Sequence, residues 1–527
     1  MARWRGMDAV MTEQRRGVVS EWLFVLACVS GFFALTLIAY GSPGLIFESV
    51  ADEMFAVRWI HDIRMGVFPP EMFDFPLYHG HATSYLMMPF VYLFGPSWDF
   101  VRLWPKIIGA GTLLLSYVFM KDLFGARIAR WTLFLSAIHP SYVLGVKSGN
   151  YHVSWMTLFS VGTLLCVNRW AKTKRYVYLC VAFLLIGVGI MTRIWFLWFV
   201  AALGVSTLVW GKELGVYPGS GGRRFYVRLA ACATLLLGPF LILILKTELL
   251  SPSLTHMIDR HVGIQVNHQV ESIVNYGKML SGEIFCRMQL AAHDCSMTNG
   301  AYPVVFYGCF LFCVGWAFFR RSEDRGALSW LLLLFASMFL FMINTHKAAA
   351  HHIFVFYPLP QMVMAIALGT CQKHFLSKKT ARYVFTGVLS AFLFWEASSL
   401  AAHLYVLKSM GPSARFTDSL YEISDWLHRE CPPGREGEIV MCPGPLEWNL
   451  IFLRGSVIGY PDYPMEWPAS WPGSAPRLLY LVRTLQYEAE ESAFIERACR
   501  EYKKKRIAKI FVNRDGTPTF EVLKLSM

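Results

Sequence analysis

Long apolar stretches separated by short polar gaps dominate the first four hundred residues of the chain. They run over 22–40, 101–120, 130–146, 153–168, 176–191, 194–210, 229–246, 303–319, 328–343, 353–371 and 383–402. A helix rises 1.5 Å per residue, so stretches of this size are suited to cross a hydrocarbon core of about 30 Å. The pattern therefore predicts about eleven transmembrane helices. Two gaps are too long to be plain connectors, 41–100 and 247–302, and long ordered gaps usually carry function. Within the first, Phe55, Trp59, Ile60 and Ile63 recur on one helical face, as in an amphipathic helix lying in the interface. Residues 82–95 are apolar but short, which reads as a re-entrant or interfacial segment.

Beyond residue 404 the pattern changes. Short apolar runs at 438–441, 477–482 and 507–512 alternate with helical stretches at 415–430 and 488–502, predicting a small α/β domain. The expected fold is thus an α-helical polytopic membrane protein with a small extracytoplasmic α/β C-terminal domain. Its expected parts are an N-terminal tail (1–21), a membrane domain (22–403) and the C-terminal domain (404–527).

Charge fixes the threading. The chain is 55% hydrophobic and 16% charged, with a formal net charge of +13. In a soluble protein that excess would raise nucleic acid as a partner; here the cations sit in every second gap. They include Lys121, Arg127 and Arg130; Arg169, Lys172, Lys174 and Arg175; Lys212, Arg223, Arg224 and Arg228; Arg320, Arg321 and Arg325; and Lys373, Lys378, Lys379 and Arg382. This is the positive-inside pattern and speaks against nucleic acid as a partner. It predicts an inner (plasma) membrane protein with a cytoplasmic N-terminus, the first helix uncleaved. Both long gaps and the C-terminal domain then lie outside. Cys286 with Cys295 and Cys431 with Cys442 would stand in an oxidising compartment, as disulfides or as four thiols.

The polar residues of the outer gaps are the candidates for chemistry. Asp52 and Glu53 are adjacent beyond the first helix. One carboxylate could take a proton from an acceptor hydroxyl while the other positions it or a divalent cation; a helix N-cap is the alternative. His79 and His81 lie in the same gap, Asn150 and His152 before the fourth span, and Arg193 between the fifth and sixth. Arg193 needs an anionic partner or must snorkel to the interface. His346, Lys347, His351 and His352 form a cationic cluster where Lys and Arg are otherwise sparse, as an anion site or an interfacial anchor. His256, Asp259, Arg260 and His261 lie in the second long gap and could cover the site.

The segments ADEMFAVRWIHDI (51–63), PLYHGHATSYLMMPFVYLFG (76–95), VRLWPKIIGAGTLLLSYVFMKDLFG (101–125) and HHIFVFYPLPQMVMAIAL (351–368) occur in an order that resembles the glycosyltransferase C superfamily, in its protein O-mannosyltransferase and lipid A aminoarabinose transferase branch. The resemblance covers roughly residues 20–400. It implies an inverting transferase that takes a sugar from a polyprenyl-phosphate donor to a lipid, glycan or protein acceptor. It assigns catalysis to Asp52 and Glu53 and donor-phosphate binding to His79 and Arg193, which His346 and Lys347 of the cationic cluster would join. Asn150 and His152 would contact the acceptor or a metal. This chain has His79-Gly80-His81 where the family commonly has His-Pro-Pro, and His152 where related transferases place an acid. No cofactor follows with certainty, a divalent metal being the one candidate. A multi-helix transporter or lipid flippase is the alternative from another class, although no internal repeat points to it.

Overall fold

The computed structural model describes residues 2–38, 86, 89–90, 92–93, 98–147, 151–193, 195–216, 233–237, 266–284, 286, 298–319, 325–344, 353–374, 379–410, 419–432, 438–442, 458–459, 477–485, 500, 502, 504–512, 516 and 518–526. The helices are α1 (Ala2–Leu37), α2 (Trp98–Phe124), α3 (Ala126–Ile138), α4 (Pro140–Lys147), α5 (Tyr151–Thr173), α6 (Tyr176–Thr192), α7 (Phe196–Trp210), α8 (Val266–Leu280), α9 (Ala301–Phe319), α10 (Arg325–Ile343), α11 (Leu359–His374), α12 (Lys379–Met410) and α13 (Ser419–Glu430). A 3-10 turn, Phe354–Phe356, precedes α11.

Each expected span except 229–246 coincides with described helix; that one is described only at 233–237, which is helical. One expectation changes. The span at 130–146 is not one helix: His139 is extended (φ −68°, ψ 123°) and Pro140, lacking an N–H, starts a separate helix. The gap 247–302 contains α8, which buries Tyr276, Met279 and Leu280 while Val270 and Val274 stay exposed. The amphipathic segment 52–64 lies outside the described residues.

Among the described residues six helical segments are long and apolar enough to cross a membrane: Val19–Leu37, Leu103–Phe124, Ala301–Phe319, Arg325–Ile343, Phe354–His374 and Lys379–Ser409. Their exposed side chains are large and apolar, such as Val304, Leu311 and Phe318 on α9 and Tyr383, Val388, Phe394 and Trp395 on α12. Such a surface suits lipid rather than water. Helix α5 is built the other way. Its Ser154, Thr157, Ser160 and Thr163 are buried, and Thr157, Ser160 and Thr163 donate to carbonyls of their own helix at 2.7–3.0 Å. With three of these four hydroxyls bonded within the helix, it runs through the middle of the bundle.

The basic turns share one face. Asp122 at the end of α2 pairs with Arg169 of α5 at 2.5 Å and accepts a bond from Lys172 at its carbonyl. Lys174 donates to the Gly215 carbonyl beyond α7. Lys121 pairs with Glu21 of α1 at 2.6 Å, and His374 of α11 packs on Trp316 of α9 with ring centroids 4.9 Å apart. The turns that share the positive charge in sequence therefore meet in space.

Close helix contact depends on glycine. A Cβ on Gly109 of α2 would lie 2.9 Å from Val146 Cγ1 and 3.2 Å from Phe32 Cζ, so side chains of α4 and α1 pack directly on the α2 backbone there. Gly109→Leu is expected to destabilise the bundle by about 1–3 kcal/mol through overpacking. Thermal unfolding of the detergent-purified protein should show it as a lower midpoint; an unchanged midpoint would mean that α4 can yield.

The C-terminal sheet has the order β2-β1-β3-β5-β4, with β1 (Glu438–Cys442), β2 (Ile458–Gly459), β3 (Leu478–Thr484), β4 (Lys504–Val512) and β5 (Pro518–Ser526). Strands β1, β2 and β3 are parallel, while β5 runs antiparallel to β3 and β4. β2 and β5 were not anticipated from the sequence. Helix α13 covers one side: Trp426 packs edge-on against Tyr480 and Phe511, and the Tyr480 hydroxyl donates to the Glu430 carbonyl at 3.3 Å. Cys286 is disulfide-bonded, whereas Cys431, buried at the end of α13, carries a thiol.

Candidate active site

Helix registers locate a second functional face, opposite the basic turns. Helices α2 and α5 run parallel: Thr112 and Thr157 hydroxyls are 3.5 Å apart, and Trp104 packs on Trp155 with centroids 6.0 Å apart. Lys106, between Trp104 and Thr112, therefore lies level with the first turns of α5. Helices α5 and α6 run antiparallel, a Cβ on Gly162 meeting Leu185 at 3.0 Å. The end of α6 thus returns to the start of α5, and Arg193 follows it directly.

Arg193 is extended (φ −158°, ψ 137°) with its N–H on the Gly189 carbonyl at 3.2 Å, and its own carbonyl accepts from Phe196 at 3.0 Å. Gly189 makes this turn feasible, since a Cβ there would lie 2.4 Å from the Phe196 ring. Lys147 ends α4 beside the same region, because the Tyr142 hydroxyl donates to the Gly109 carbonyl at 2.9 Å. The Lys147 ammonium donates to the Ile38 carbonyl at 2.6 Å and lies 3.4 Å from that of Thr36. Phe354 stacks on Tyr142, centroids 5.7 Å apart and planes 4° from parallel.

Three cations thus gather at one end of the bundle: Lys106, Lys147 and Arg193 are only 1%, 3% and 4% exposed. The buried carboxylates among the described residues are Glu396 and Glu521. Buried cations at one end of a membrane domain form a setting suited to an anionic ligand such as a phosphate. Sequence reasoning found Arg193 but missed Lys106 and gave Lys147 no role. A lysine inside or ending an apolar span is expensive, and that signal was available.

Of the other expected site residues, Asp52, Glu53, His79, Asn150, His346 and Lys347 lie outside the described residues. His152 falls in the first turn of α5, where the backbone but not the side chain is described. What the structure brings together are the points where their segments leave and rejoin the bundle: Ile38, Lys147 with Tyr151, and Phe354. Among the described residues no group of three or more His, Cys, Asp or Glu is arranged to hold a metal.

A second polar network lies where α3 breaks. His139 bonds through Nε2 to the Leu280 carbonyl at 3.0 Å and through Nδ1 to the Tyr357 hydroxyl at 3.1 Å. Its Nε2 is 3.7 Å from Glu396 Oε1, and Asn299 donates to Glu396 Oε2 at 2.7 Å. Ser141 donates to the Met279 carbonyl. These contacts tie both described ends of the 281–299 segment to the bundle. Glu396→Gln keeps an acceptor for Asn299 and is expected to preserve stability, whereas Glu396→Leu strands that amide at about 1–3 kcal/mol. Equal melting midpoints for the two variants would show that the carboxamide bond contributes nothing.

The sequence model of the dolichyl-phosphate-mannose-protein mannosyltransferase family matches residues 78–242. The structure resembles the crystal structure of ArnT from Cupriavidus metallidurans bound to undecaprenyl phosphate, with a TM-score of 0.58 and 12% identity over 96% of this chain and 98% of that one. It also resembles the Archaeoglobus fulgidus oligosaccharyltransferase in complex with Zn and sulfate, with a TM-score of 0.54 and 14% identity over 90% of this chain and 69% of that one. No functionally curated protein matches in sequence. At these identities the structural likeness is one of fold.

Proposed function

We propose that this membrane glycosyltransferase, whose chain carries the glycosyltransferase C fold, transfers a sugar with inversion from a polyprenyl-phosphate donor to a lipid, glycan or protein acceptor on the extracytoplasmic face. The observation that carries the reading is that buried Lys106 and Arg193 stand at the end of the bundle opposite the basic turns. A lipid carrier brings both a phosphate and its sugar to that depth.

In this reading Asp52 removes the proton of the acceptor hydroxyl as it attacks the anomeric carbon from the face opposite the phosphate, and Glu53 holds the acceptor in place. The leaving group is a phosphate that needs no general acid. Charge builds on its oxygens as the bond breaks, and Arg193, with Lys106, stabilises it there; His79, His346 and Lys347 are the further donors. Asn150 and His152 contact the acceptor or a divalent metal, which would supply extra positive charge beside the phosphate.

The basic turns of the bundle face the cytoplasm by the positive-inside rule. The disulfide at Cys286 supports an oxidising compartment for the opposite face. We take residues 22–403 as the transferase domain, with outer loops 41–100 and 247–302, and 404–527 as an extracytoplasmic domain above it.

The donor class is tested by incubating membranes that contain the protein with an extracted pool of polyprenyl-phosphate sugars and weighing the lipids by mass spectrometry. Conversion to free polyprenyl phosphate is expected, and the lipid consumed names the sugar. Unchanged lipids in the presence of folded protein and native acceptors would remove the transferase mechanism and favour a transporter or flippase.

A further inference from the structure

We propose that Lys147 is a positioning residue of the transferase: it fixes the end of α1 from which the Asp52-Glu53 segment departs, rather than binding the donor itself. The proposal rests on the function given above for Asp52.

The geometry is specific. Helix α1 ends at Leu37, and the last carbonyls of a helix have no partner within it. The Lys147 ammonium meets two oxygens of that last turn, Ile38 O at 2.6 Å and Thr36 O at 3.4 Å. A cation at a helix C-terminus is favoured by the dipole and by the exposed carbonyls. Lys147 is 3% exposed and Thr36 fully buried, while Ile38 lies at the exposed edge of the contact. Thr36 closes the same turn by donating its hydroxyl to the Phe33 carbonyl at 2.8 Å.

The other end of the tether is rigid. Lys147 closes α4, which Tyr142 ties to the Gly109 carbonyl of α2 and which packs on Gly109 without room for a Cβ. Phe32 of α1 packs on Tyr142, centroids 5.4 Å apart. The departure point at residue 38 is therefore held against α2 and α4, the elements that carry Lys106 and Lys147. The chain from Ile38 to Asp52 is fourteen residues long by number, 52 − 38. A general base must sit within hydrogen-bond reach of the proton it removes, so a shift at the root of its segment enters the transition state more than the donor complex.

Two measurements on the full-length protein in nanodiscs test this. In the first, kcat and KM for the lipid-linked donor are compared for wild type, Lys147→Met and Lys147→Arg. Lys147→Met is expected to lower kcat about 10²-fold, the scale of a 1 Å misplacement, with donor KM within about twofold. Lys147→Arg, which still donates to both carbonyls, should recover most of the rate. A rise in donor KM with kcat kept would overturn the proposal and make Lys147 a donor ligand; wild-type kinetics would overturn it too.

In the second, backbone amide exchange is followed over residues 33–38. Lys147→Met should speed it about tenfold or more there, leaving α5 unchanged. Unaltered exchange overturns the tether whatever the kinetics show. If wild type itself consumes no polyprenyl-phosphate sugar, the donor assignment falls, and the exchange measurement alone decides the contact. Should Lys147→Met not accumulate, Lys147→Gln, which is shorter and uncharged, takes its place in both measurements.

Discussion

Asp52→Asn is expected to leave expression, membrane insertion and thermal stability unchanged while lowering kcat about 10²–10⁴-fold, the usual contribution of a positioned general base. The carboxamide is nearly the same shape as the carboxylate but cannot take a proton from the acceptor hydroxyl. Donor affinity, which depends on the phosphate and the polyprenyl chain, should change little, so the loss falls on kcat with KM preserved. Initial rates of polyprenyl-phosphate release in reconstituted membranes provide the measurement. Transfer at the wild-type rate by Asp52→Asn would remove this residue from the chemistry and transfer attention to Glu53.

The second large effect concerns Arg193. It lies at the turn between α6 and α7, only 4% exposed, with its backbone held by Gly189 and Phe196. If its guanidinium stabilises charge as the sugar leaves the phosphate, Arg193→Met should lower kcat about 10²–10³-fold, as removal of one preorganised donor does elsewhere. Arg193→Lys should retain part of the rate, since it keeps the charge but loses the bidentate fork. The check is a kinetic series on both variants beside their melting midpoints. A loss matched by a collapse in stability, or a loss equal for Met and Lys, would mean that Arg193 serves the fold rather than the phosphate.

The two network predictions separate structure from chemistry. Gly109, which seats α4, should alter stability together with rate, whereas Glu396 belongs to the His139 network and not to the assigned site, so its variants should alter stability first. Asp52 and Arg193 should do the reverse. A variant set that failed to divide this way would mean that the end of the bundle near Lys147 and the polar cluster near His139 act as one cooperative unit.

The membrane-spanning helices were legible in the sequence because the requirement behind them is local. A segment in hydrocarbon must satisfy its own backbone and present apolar side chains, so each span announces itself in its own residues. The basic turns were legible for the same reason, and in the structure Asp122, Arg169, Lys172, Lys174 and Lys121 do meet on one face. The strands at 438–442, 478–484 and 504–512 could also be read, since each alternates or runs apolar within itself. The break at His139-Pro140 carried a signal in its proline that a hydropathy pattern smooths over.

What the sequence could not contain is which residues from distant spans share a depth. Lys106, Lys147 and Arg193 belong to three segments, and their convergence depends on α2 and α5 running parallel, on α5 and α6 running antiparallel, and on Gly109 admitting α4. The pairing of His139 with Glu396, 257 positions apart (396 − 139), is of the same kind. The sequence alone determined that the chain carries membrane-spanning helices and that its cations gather in particular turns between them, because hydropathy and charge act on each segment separately. Only the tertiary structure decided which buried cations stand together and which carbonyls hold them, because those follow from helix register, and register is settled by side-chain packing between segments far apart in the chain.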